Sequence, residues 1–573
     1  MHALGARQAQ REQQVRPQRL AWLAGFAVAG VVLFTVYLLQ STRDTYVNSD
    51  GASNALQAWA MLHGNLLLRG WAVSDVSFYT TELPQYMLVE LIRGLGPNVV
   101  HICGAMSYTL LVLLAAAVAK GRAAGREGIA RVLMAAGIML APQLGNPTDM
   151  LMLSPDHVGT GVPLLMTWLL IDWGAGFAQR QRGWRRCLVP VLAGLLLAWT
   201  AVGDPLAEVI GALPLAVVCA LRACQGLRQE LHKEPHQGPL QGLLGGLRAR
   251  WYELSLLAAA VLSVLAARLA TREIAAAGGW TVTPVRTSLA SPGMLGQHAY
   301  LTGMGILQLF GADFLGQPNL GQSIFAVLHL AGLGLVAWAF CLAVYRFLRS
   351  DLLVQVLTVA IVVNLGAYMF SIQAQDIKNT REIAALLPFG AALAGRLLAG
   401  RLLAAREARE AAVASPRAAS TRLVTWLAGA MLACYAVMLG VNVVQPQVPE
   451  QSAALADWLA AHDLTRGLGG YWQANSVTLD SSDGVRVRAI DINAGQLTTG
   501  SYWEADQAWY DPATAYANFV VDIPVRCGPA DPGVLIQRMA ARAGKPSRLY
   551  CFGGYAIAVW NRNLLTRFSE QLG

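Results

Sequence analysis

The sequence predicts a mainly α-helical polytopic membrane protein that carries a C-terminal α/β or α+β domain outside the membrane. Three observations predict this class. Of the 573 residues, 55% are hydrophobic and only 13% are charged, with a mean hydropathy of +0.43, which is too apolar for an ordinary soluble chain. About eleven apolar segments are long enough to cross a bilayer. A proline-containing break, QPQVPEQ, then precedes a more polar tail.

The membrane domain is predicted to comprise residues 1–444. Its candidate spans lie near residues 20–40, 98–119, 128–145, 158–174, 187–203, 206–222, 252–270, 323–347, 351–370, 383–400 and 423–443. Arg and Lys concentrate on alternate connections, so the positive-inside rule places the N-terminus in the cytoplasm and the tail outside a bacterial plasma membrane. This placement accounts for the net charge of +9 without a nucleic-acid partner. The first apolar run is too long for a cleaved signal and is expected to remain as a span.

The exported domain is predicted to comprise residues 445–573, with alternating helix-like and strand-like segments. Cys527 and Cys551 both lie in it, and an oxidising compartment favours a disulfide between them, although two free buried cysteines are the alternative. Trp472 and Trp503 lie in polar surroundings. Exposed indole faces of this kind stack on sugar rings or anchor at a membrane interface, and the alternative is that both residues belong to the core of the domain.

The first outward loop, residues 41–97, holds two candidate catalytic acids, Asp44 and Asp50. From Asp50 onward, apolar residues recur at helical spacing as far as Gly64, which predicts a helix lying on the membrane surface and anchored by Trp59. Pro84 then predicts the first turn of a second surface helix. The alternative for Asp50 is that it only caps the first helix, because Asp is a favoured N-cap residue.

Two further outward segments carry candidate site residues. GNPTDMLMLSPDHVGT contains Asp156 and His157, which could orient a substrate or form only a polar turn. SIQAQDIKNTRE contains Lys378 and Arg381, which could bind a lipid phosphate or simply border the bilayer.

Several function classes lack support. No nucleotide-binding fingerprint such as G-x-x-x-x-G-K-[ST] occurs, which argues against an ATP-driven pump. No Cys/His spacing indicates a structural zinc, and no D-x-D lies in the outward loops. We therefore expect no cofactor, although a divalent metal stays open.

The first loop resembles that of the GT-C superfamily of membrane glycosyltransferases, which includes polyprenyl-phosphate-sugar-dependent enzymes of actinobacterial envelopes. The resemblance rests on SDGASNALQAWAMLHGN and TTELPQYMLVELIRGLG: an acid after the first span, a surface helix ending at Gly, and a second helix begun at Pro. Many members have two adjacent acids where this chain has Asp50 and Gly51, so Asp50 is the best match to the family's base.

The resemblance implies transfer of a sugar from a polyprenyl-phosphate donor to a glycan, lipid or protein acceptor on the outer face. Asp50 would take the acceptor's proton in one inverting displacement, with Asp44 as a possible partner. Asp156 or His157 would orient a substrate, Lys378 and Arg381 would bind the departing phosphate, and Trp472 and Trp503 would contact the acceptor. The alternatives are a transporter or flippase of a lipid-linked precursor and a non-catalytic envelope-assembly protein.

Overall fold

The computed structural model describes residues 2–153, 157–180, 183–233, 247, 250–284, 288–315, 317, 319–411 and 432–569. Helices dominate up to residue 442, and a β-sheet forms the centre of the part that follows. The predicted fold class, a helical membrane body with a C-terminal domain that mixes helices and strands, is thereby confirmed.

The helices are numbered in chain order. They are α1 (His2–Asp44), α2 (Ser49–Leu62), α3 (Leu83–Arg93), α4 (Pro97–Lys120), α5 (Gly125–Met139), α6 (Asn146–Met152), α7 (Gly161–Arg180), α8 (Leu188–Gly203), α9 (Leu213–Lys233), α10 (Trp251–Ala276), α11 (Leu295–Leu309), α12 (Leu320–Tyr345), α13 (Leu352–Phe370), α14 (Leu386–Ala411), α15 (Leu432–Asn442), α16 (Ala453–Ala461), α17 (Tyr471–Asp480), α18 (Val534–Ala543) and α19 (Thr566–Ser569).

Fewer helices have the length of a span than the eleven that the sequence predicts. Within the described residues, seven helices are long and apolar enough to cross a membrane, and an eighth results if a bent pair is one span. That pair joins the 3₁₀ segment Ile377–Ile383 to α14 at an angle of 48°. The predicted spans at 128–145 and 158–174 correspond to α5 and to the shorter apolar helix Gly161–Phe177 within α7. Of the predicted span 423–443, residues 423–431 lie outside the described residues.

Helix α4 lies at the centre of the helical body, because it packs against α1, α5, α7 and α14. Two buried tyrosine hydroxyls, one on α4 and one on α1, donate to backbone carbonyls at the end of α5. The Tyr108 hydroxyl donates to the Met139 carbonyl at 2.8 Å, and the neighbouring Tyr37 hydroxyl donates to the Leu140 carbonyl at 3.0 Å. The start of α4 packs against α2, so α4 connects the loop region to the opposite end of the body.

The strands form two sheets. They are β1 (Trp71–Val73), β2 (Thr281–Val282), β3 (Arg466–Gly469), β4 (Arg486–Asn493), β5 (Gln496–Thr499), β6 (Ala505–Asp506), β7 (Phe519–Asp522), β8 (Arg548–Phe552) and β9 (Tyr555–Val559).

The larger sheet belongs to the C-terminal domain and has the order β5-β4-β3-β7-β9-β8. Strand β3 pairs in parallel with both β4 and β7, and the outer pairs are antiparallel, so the domain is a mixed α/β unit. Cys527 and Cys551 are joined by a disulfide, which selects the bonded alternative of the sequence prediction.

The smaller sheet joins three distant parts of the chain in the order β2-β1-β6. Strand β1 of the first loop pairs in parallel with β2, which follows α10, and antiparallel with β6 of the C-terminal domain. Trp71 packs edge-on against Trp509 beside this junction, with 4.9 Å between ring centroids. Backbone hydrogen bonds therefore hold the C-terminal domain against the first loop.

Helix α2 differs from the predicted surface helix. Most of its residues are buried, because α17 of the C-terminal domain packs on one side and α3 and α4 pack on the other. Trp59 is half-buried and packs against His63 with the two rings tilted by 45°. The small residues of α2 thus allow close packing between the helical body and the C-terminal domain. The sequence predicts a helix lying at the membrane surface instead.

Candidate functional site

The candidate base lies just inside the N-terminus of α2 and does not cap it. The N-cap residue is Asn48, whose side chain accepts a hydrogen bond from the Gly51 N–H at 2.9 Å. The helix begins at Ser49, so Asp50 occupies its first turn, where the helix dipole favours a negative charge. The capping alternative for Asp50 is therefore wrong, and its carboxylate is available for other contacts.

Those contacts come from two distant segments. The Tyr471 hydroxyl, at the start of α17, donates to Asp50 Oδ1 at 2.5 Å. Arg381, in the 3₁₀ segment, places Nη1 at 3.8 Å from Asp50 Oδ2. The Asp50 carboxylate therefore has a neutral donor on one oxygen and a cation near the other, and its side chain is 19% exposed.

Glu504 from the C-terminal domain completes this group. Its Oε2 makes a short hydrogen bond with the same Tyr471 hydroxyl that contacts Asp50. Burial, followed by the negative charge of Asp50, raises the pKa of Glu504 well above its usual range. Burial and the two carboxylates likewise raise the pKa of Tyr471, so its hydroxyl stays protonated.

The proton count of this group follows from its geometry. A phenol has one O–H and can donate to one carboxylate only. Both short contacts of Tyr471 are satisfied when Glu504 carries a proton and donates to the Tyr471 oxygen, while the Tyr471 hydroxyl donates to Asp50 Oδ1. A chain from Glu504 through Tyr471 to Asp50 results, and it leaves Asp50 as the group's proton acceptor.

A second charged group lies next to Arg381. His157 Nδ1 is 2.7 Å from Asp204 Oδ2, and its Nε2 is 3.1 Å from Glu382 Oε2. Burial alone would lower the pKa of His157, but the negative charges of Asp204 and Glu382 raise it well above its usual value. Both ring nitrogens can then donate, so His157 is an imidazolium that fixes Glu382, the residue beside Arg381.

Asp75 connects the first loop to this second group. Its pKa is raised by burial and by the charge of Glu382, while His157 and Arg381 act in the opposite direction. Charged side chains thus meet at one end of the helical body. They come from the first loop, the loop before α7, the loop after α8, the 3₁₀ segment and the C-terminal domain. Within the described residues, no group of three or more His, Cys, Asp or Glu side chains is placed to hold a metal ion.

Three of the site residues predicted from the sequence do not contact Asp50 within the described part of the chain. Asp44 accepts a hydrogen bond from the Gly145 N–H at 2.7 Å, so it ties the end of α1 to the start of α6. Lys378 is exposed at the start of the 3₁₀ segment. Asp156 lies outside the described residues.

Each of the two predicted tryptophans is next in sequence to a residue of the Asp50 group. Trp472 follows Tyr471, packs edge-on against it at 5.2 Å between centroids, and is 57% exposed. Trp503 precedes Glu504 and is half-buried. An exposed indole beside a carboxylate can present a flat apolar face to a sugar ring.

Sequence patterns single out some of these residues and miss others. Tyr471 stands out only as one aromatic among several, and Glu504 and Glu382 have no local pattern that marks them. Their roles depend on contacts between segments far apart in sequence, such as Tyr471 with Asp50, 421 residues away. Glu504 is one of two acids in SYWEADQAWY, a stretch rich in aromatic residues, and that composition is the signal that could have drawn attention to it.

Comparisons with solved structures find two proteins that superpose on the chain at low similarity. No family model matches the chain, and no curated protein matches it. An oligosaccharyltransferase from Archaeoglobus fulgidus, tethered with an acceptor peptide, superposes with a TM-score of 0.48 at 12% identity, over 87% of this chain and 69% of its own. ArnT from Cupriavidus metallidurans, bound to undecaprenyl phosphate, gives 0.48 and 12% over 94% and 98%. These values are too low to assign the chain to a family.

Proposed function

We propose that this protein is a membrane glycosyltransferase of GT-C type that transfers a sugar from a polyprenyl-phosphate donor to a glycan, lipid or protein acceptor. The observation that carries the proposal is the Asp50 group. It combines an ionised carboxylate, a cation and a neutral proton chain where the helical body meets the C-terminal domain. An inverting displacement needs a base and a positive charge in that arrangement.

In the proposed reaction, Asp50 accepts the proton of the acceptor hydroxyl while that oxygen attacks the anomeric carbon of the donor. The bond from the anomeric carbon to the phosphate oxygen breaks, and polyprenyl phosphate leaves. Tyr471 orients the Asp50 carboxylate through its hydrogen bond. One well-placed base contributes about 10²–10⁴-fold to such a step.

The cations that meet the leaving group lie on one 3₁₀ segment. Lys378 and Arg381 are three residues apart in it, and residues at this spacing in a 3₁₀ helix share one face. Arg381 lies next to Asp50, whereas Lys378 is exposed. This arrangement supports a binding site for the donor phosphate along the segment, where both cations offset its negative charge.

The remaining assignments extend the same proposal. Trp472 and Trp503 contact the acceptor, His157 positions Glu382 and Arg381, and Asp44 has a structural role at the end of α1. The excess of Arg and Lys on alternate connections supports a cytoplasmic N-terminus, with the Asp50 group at the outer face of a bacterial plasma membrane. Polyprenyl-phosphate sugars fit that location, since nucleotide sugars belong to the cytoplasm.

Transport of a lipid-linked precursor is the second candidate. The bent pair formed by the 3₁₀ segment and α14 favours it, because broken helices beside charged groups occur in transporters. The two candidates differ in whether a glycosidic bond forms.

The test supplies the purified full-length protein, in lipid vesicles, with radiolabelled polyprenyl-phosphate sugars and a panel of glycan, lipid and peptide acceptors. We expect a labelled product whose new glycosidic bond has the opposite anomeric configuration to the donor. Movement of labelled lipid across the bilayer without product would reject the transferase and favour the transporter.

A further inference from the structure

A charged cavity lies at the end of the helical body that is remote from Asp50. Its volume is about 460 Å³, within the range of small-molecule sites. Helix α4 gives the distance between the cavity and the Asp50 group. Val100, near its start, lies beside α2, and the helix ends at Lys120, two residues before Arg122 of the cavity. At 1.5 Å per residue, the cavity is about 30 Å from the Asp50 group.

Four arginines and three acids line this cavity, so its lining has one net positive charge. The acids are held by two of the arginines. Arg396 binds Asp172 through two hydrogen bonds of 3.0 and 3.1 Å and reaches Asp351 at 3.4 Å. Arg131 pairs with Glu127.

The other two arginines make their hydrogen bonds to neutral oxygens. Arg222 Nη1 donates to the Gln355 side-chain oxygen at 2.9 Å and to the Ser350 carbonyl at 3.3 Å. Arg122 Nη2 donates to the backbone carbonyl of Asp172 at 2.6 Å. Glu253 is 3.7 Å from Arg222 Nε but also pairs with Arg250 at 3.2 Å.

Among the described residues, two guanidinium N–H groups of this lining have no hydrogen-bond acceptor: Nε of Arg131 and Nε of Arg222, the latter 3.7 Å from Glu253 Oε1. A buried donor without an acceptor is costly, especially on a charged group. An anion in the cavity would balance the net positive charge of the lining and would accept hydrogen bonds from its guanidinium groups. Guanidinium groups favour phosphate in particular, because their planar N–H pairs match its oxygens.

We propose that this cavity binds a phosphate group, either the phosphodiester of an anionic lipid headgroup or free phosphate. Under the orientation proposed above, it opens at the cytoplasmic face, where anionic headgroups and soluble phosphate are both available. The site is separate from the Asp50 group, so its function does not depend on glycosyl transfer.

The experiment measures binding to the purified full-length protein in a phosphate-free maltoside detergent. One arm uses radiolabelled inorganic phosphate, and the other uses a soluble short-chain phosphatidylglycerol. We expect saturable binding of at least one probe: phosphatidylglycerol alone would identify a lipid headgroup, and inorganic phosphate would identify a soluble anion.

Three variants test the assignment of the site. Arg222→Gln and Arg122→Gln should each weaken binding about tenfold or more, since a hydrogen bond to a charged group contributes about 1.5–3 kcal/mol. Arg126→Gln, an exposed arginine of the same region outside the lining, is the matched control and should bind as the unmodified protein does.

Folding of each variant is checked by size-exclusion chromatography and thermal unfolding. If Arg222→Gln does not fold, the exposed Arg122 decides the outcome. No saturable binding of either probe, unmodified affinity in the folded lining variants, or an equal loss in Arg126→Gln would each overturn the proposal.

Discussion

Glu504 and Asp50 show how burial gives two carboxyl groups different states. Glu504 is almost fully buried and has a strongly raised pKa, whereas Asp50 has Arg381 near one oxygen. Tyr471 joins them, because its hydroxyl contacts Glu504 on one side and Asp50 on the other. Environments that separate two carboxyl groups in this way are typical of acid–base sites.

The raised pKa of Glu504 predicts a pH dependence of stability. In the unfolded chain Glu504 ionises near its ordinary pKa of 4.5, whereas in the fold it keeps its proton to a higher pH. Folding therefore loses stability as pH rises from the ordinary toward the folded value, by at most about 1.4 kcal/mol per pH unit. Glu504→Gln, neutral throughout, should become more stable than the unmodified protein over this range.

Thermal unfolding of the full-length protein in detergent across a pH series measures the difference. Asp463→Asn, at an exposed acid just after α16, is the control and should leave the pH profile unchanged. Parallel profiles for Glu504→Gln and the unmodified protein would show that Glu504 ionises normally in the fold.

At the scale of elements, helix α2 explains why Asp50 is followed by glycine. A Cβ at Gly51 would lie 2.9 Å from Val100 Cγ1 and 3.1 Å from the Leu153 carbonyl oxygen. There is no room for a second acid at this position, since α2 passes close to α4 and to the residue after α6. The single acid is thus a consequence of packing.

Gly51→Ala should destabilise the protein by about 1–3 kcal/mol, because the added methyl group forces α2 away from its neighbours. Gly296→Ala, in helix α11, is the matched control: nothing lies within 4 Å of its Cβ, and the change should be neutral or slightly stabilising. Unfolding midpoints of the two variants provide the measurement. Equal midpoints would mean that α2 has more space than the structure gives it.

The disulfide is a second element-scale feature, since it ties the segment after β7 to β8. Replacing Cys527 and Cys551 by serine should lower the free energy of unfolding of the C-terminal domain by about 3 kcal/mol, as expected for a closed loop of this length. Cys187→Ser, at an exposed free cysteine before α8, is the control. Denaturant unfolding followed by tryptophan fluorescence compares them, and equal midpoints would contradict the prediction.

The sequence predicts elements better than it predicts the site. Apolar length locates α4 within about a residue of the expected 98–119, and the pattern RLYCFGGYAIAVW predicts the hairpin β8–β9. Asp50 and Arg381 stand out because ionisable groups beside a bilayer are unusual. The burial of α2 escapes prediction, because a helix rich in small residues suits a membrane surface and a close helix contact equally well.

At the scale of the whole molecule, two groups of charged residues lie at opposite ends of one helical body. The Asp50 group lies where the smaller sheet joins the first loop, the segment after α10 and the C-terminal domain. Strand β6 begins at the residue after Glu504, so backbone pairing with β1 fixes Glu504 relative to Asp50. The C-terminal domain therefore completes the candidate site.

The most direct test of this account is the rate of sugar transfer by Asp50→Asn, measured with whichever polyprenyl-phosphate sugar and acceptor the unmodified full-length protein uses. Asparagine keeps the size of the side chain and can still accept the Tyr471 hydrogen bond, but it cannot take a proton. We predict a fall of about 10²–10⁴-fold, with donor binding retained and Asp463→Asn unaffected. Transfer by Asp50→Asn at the unmodified rate would contradict the account.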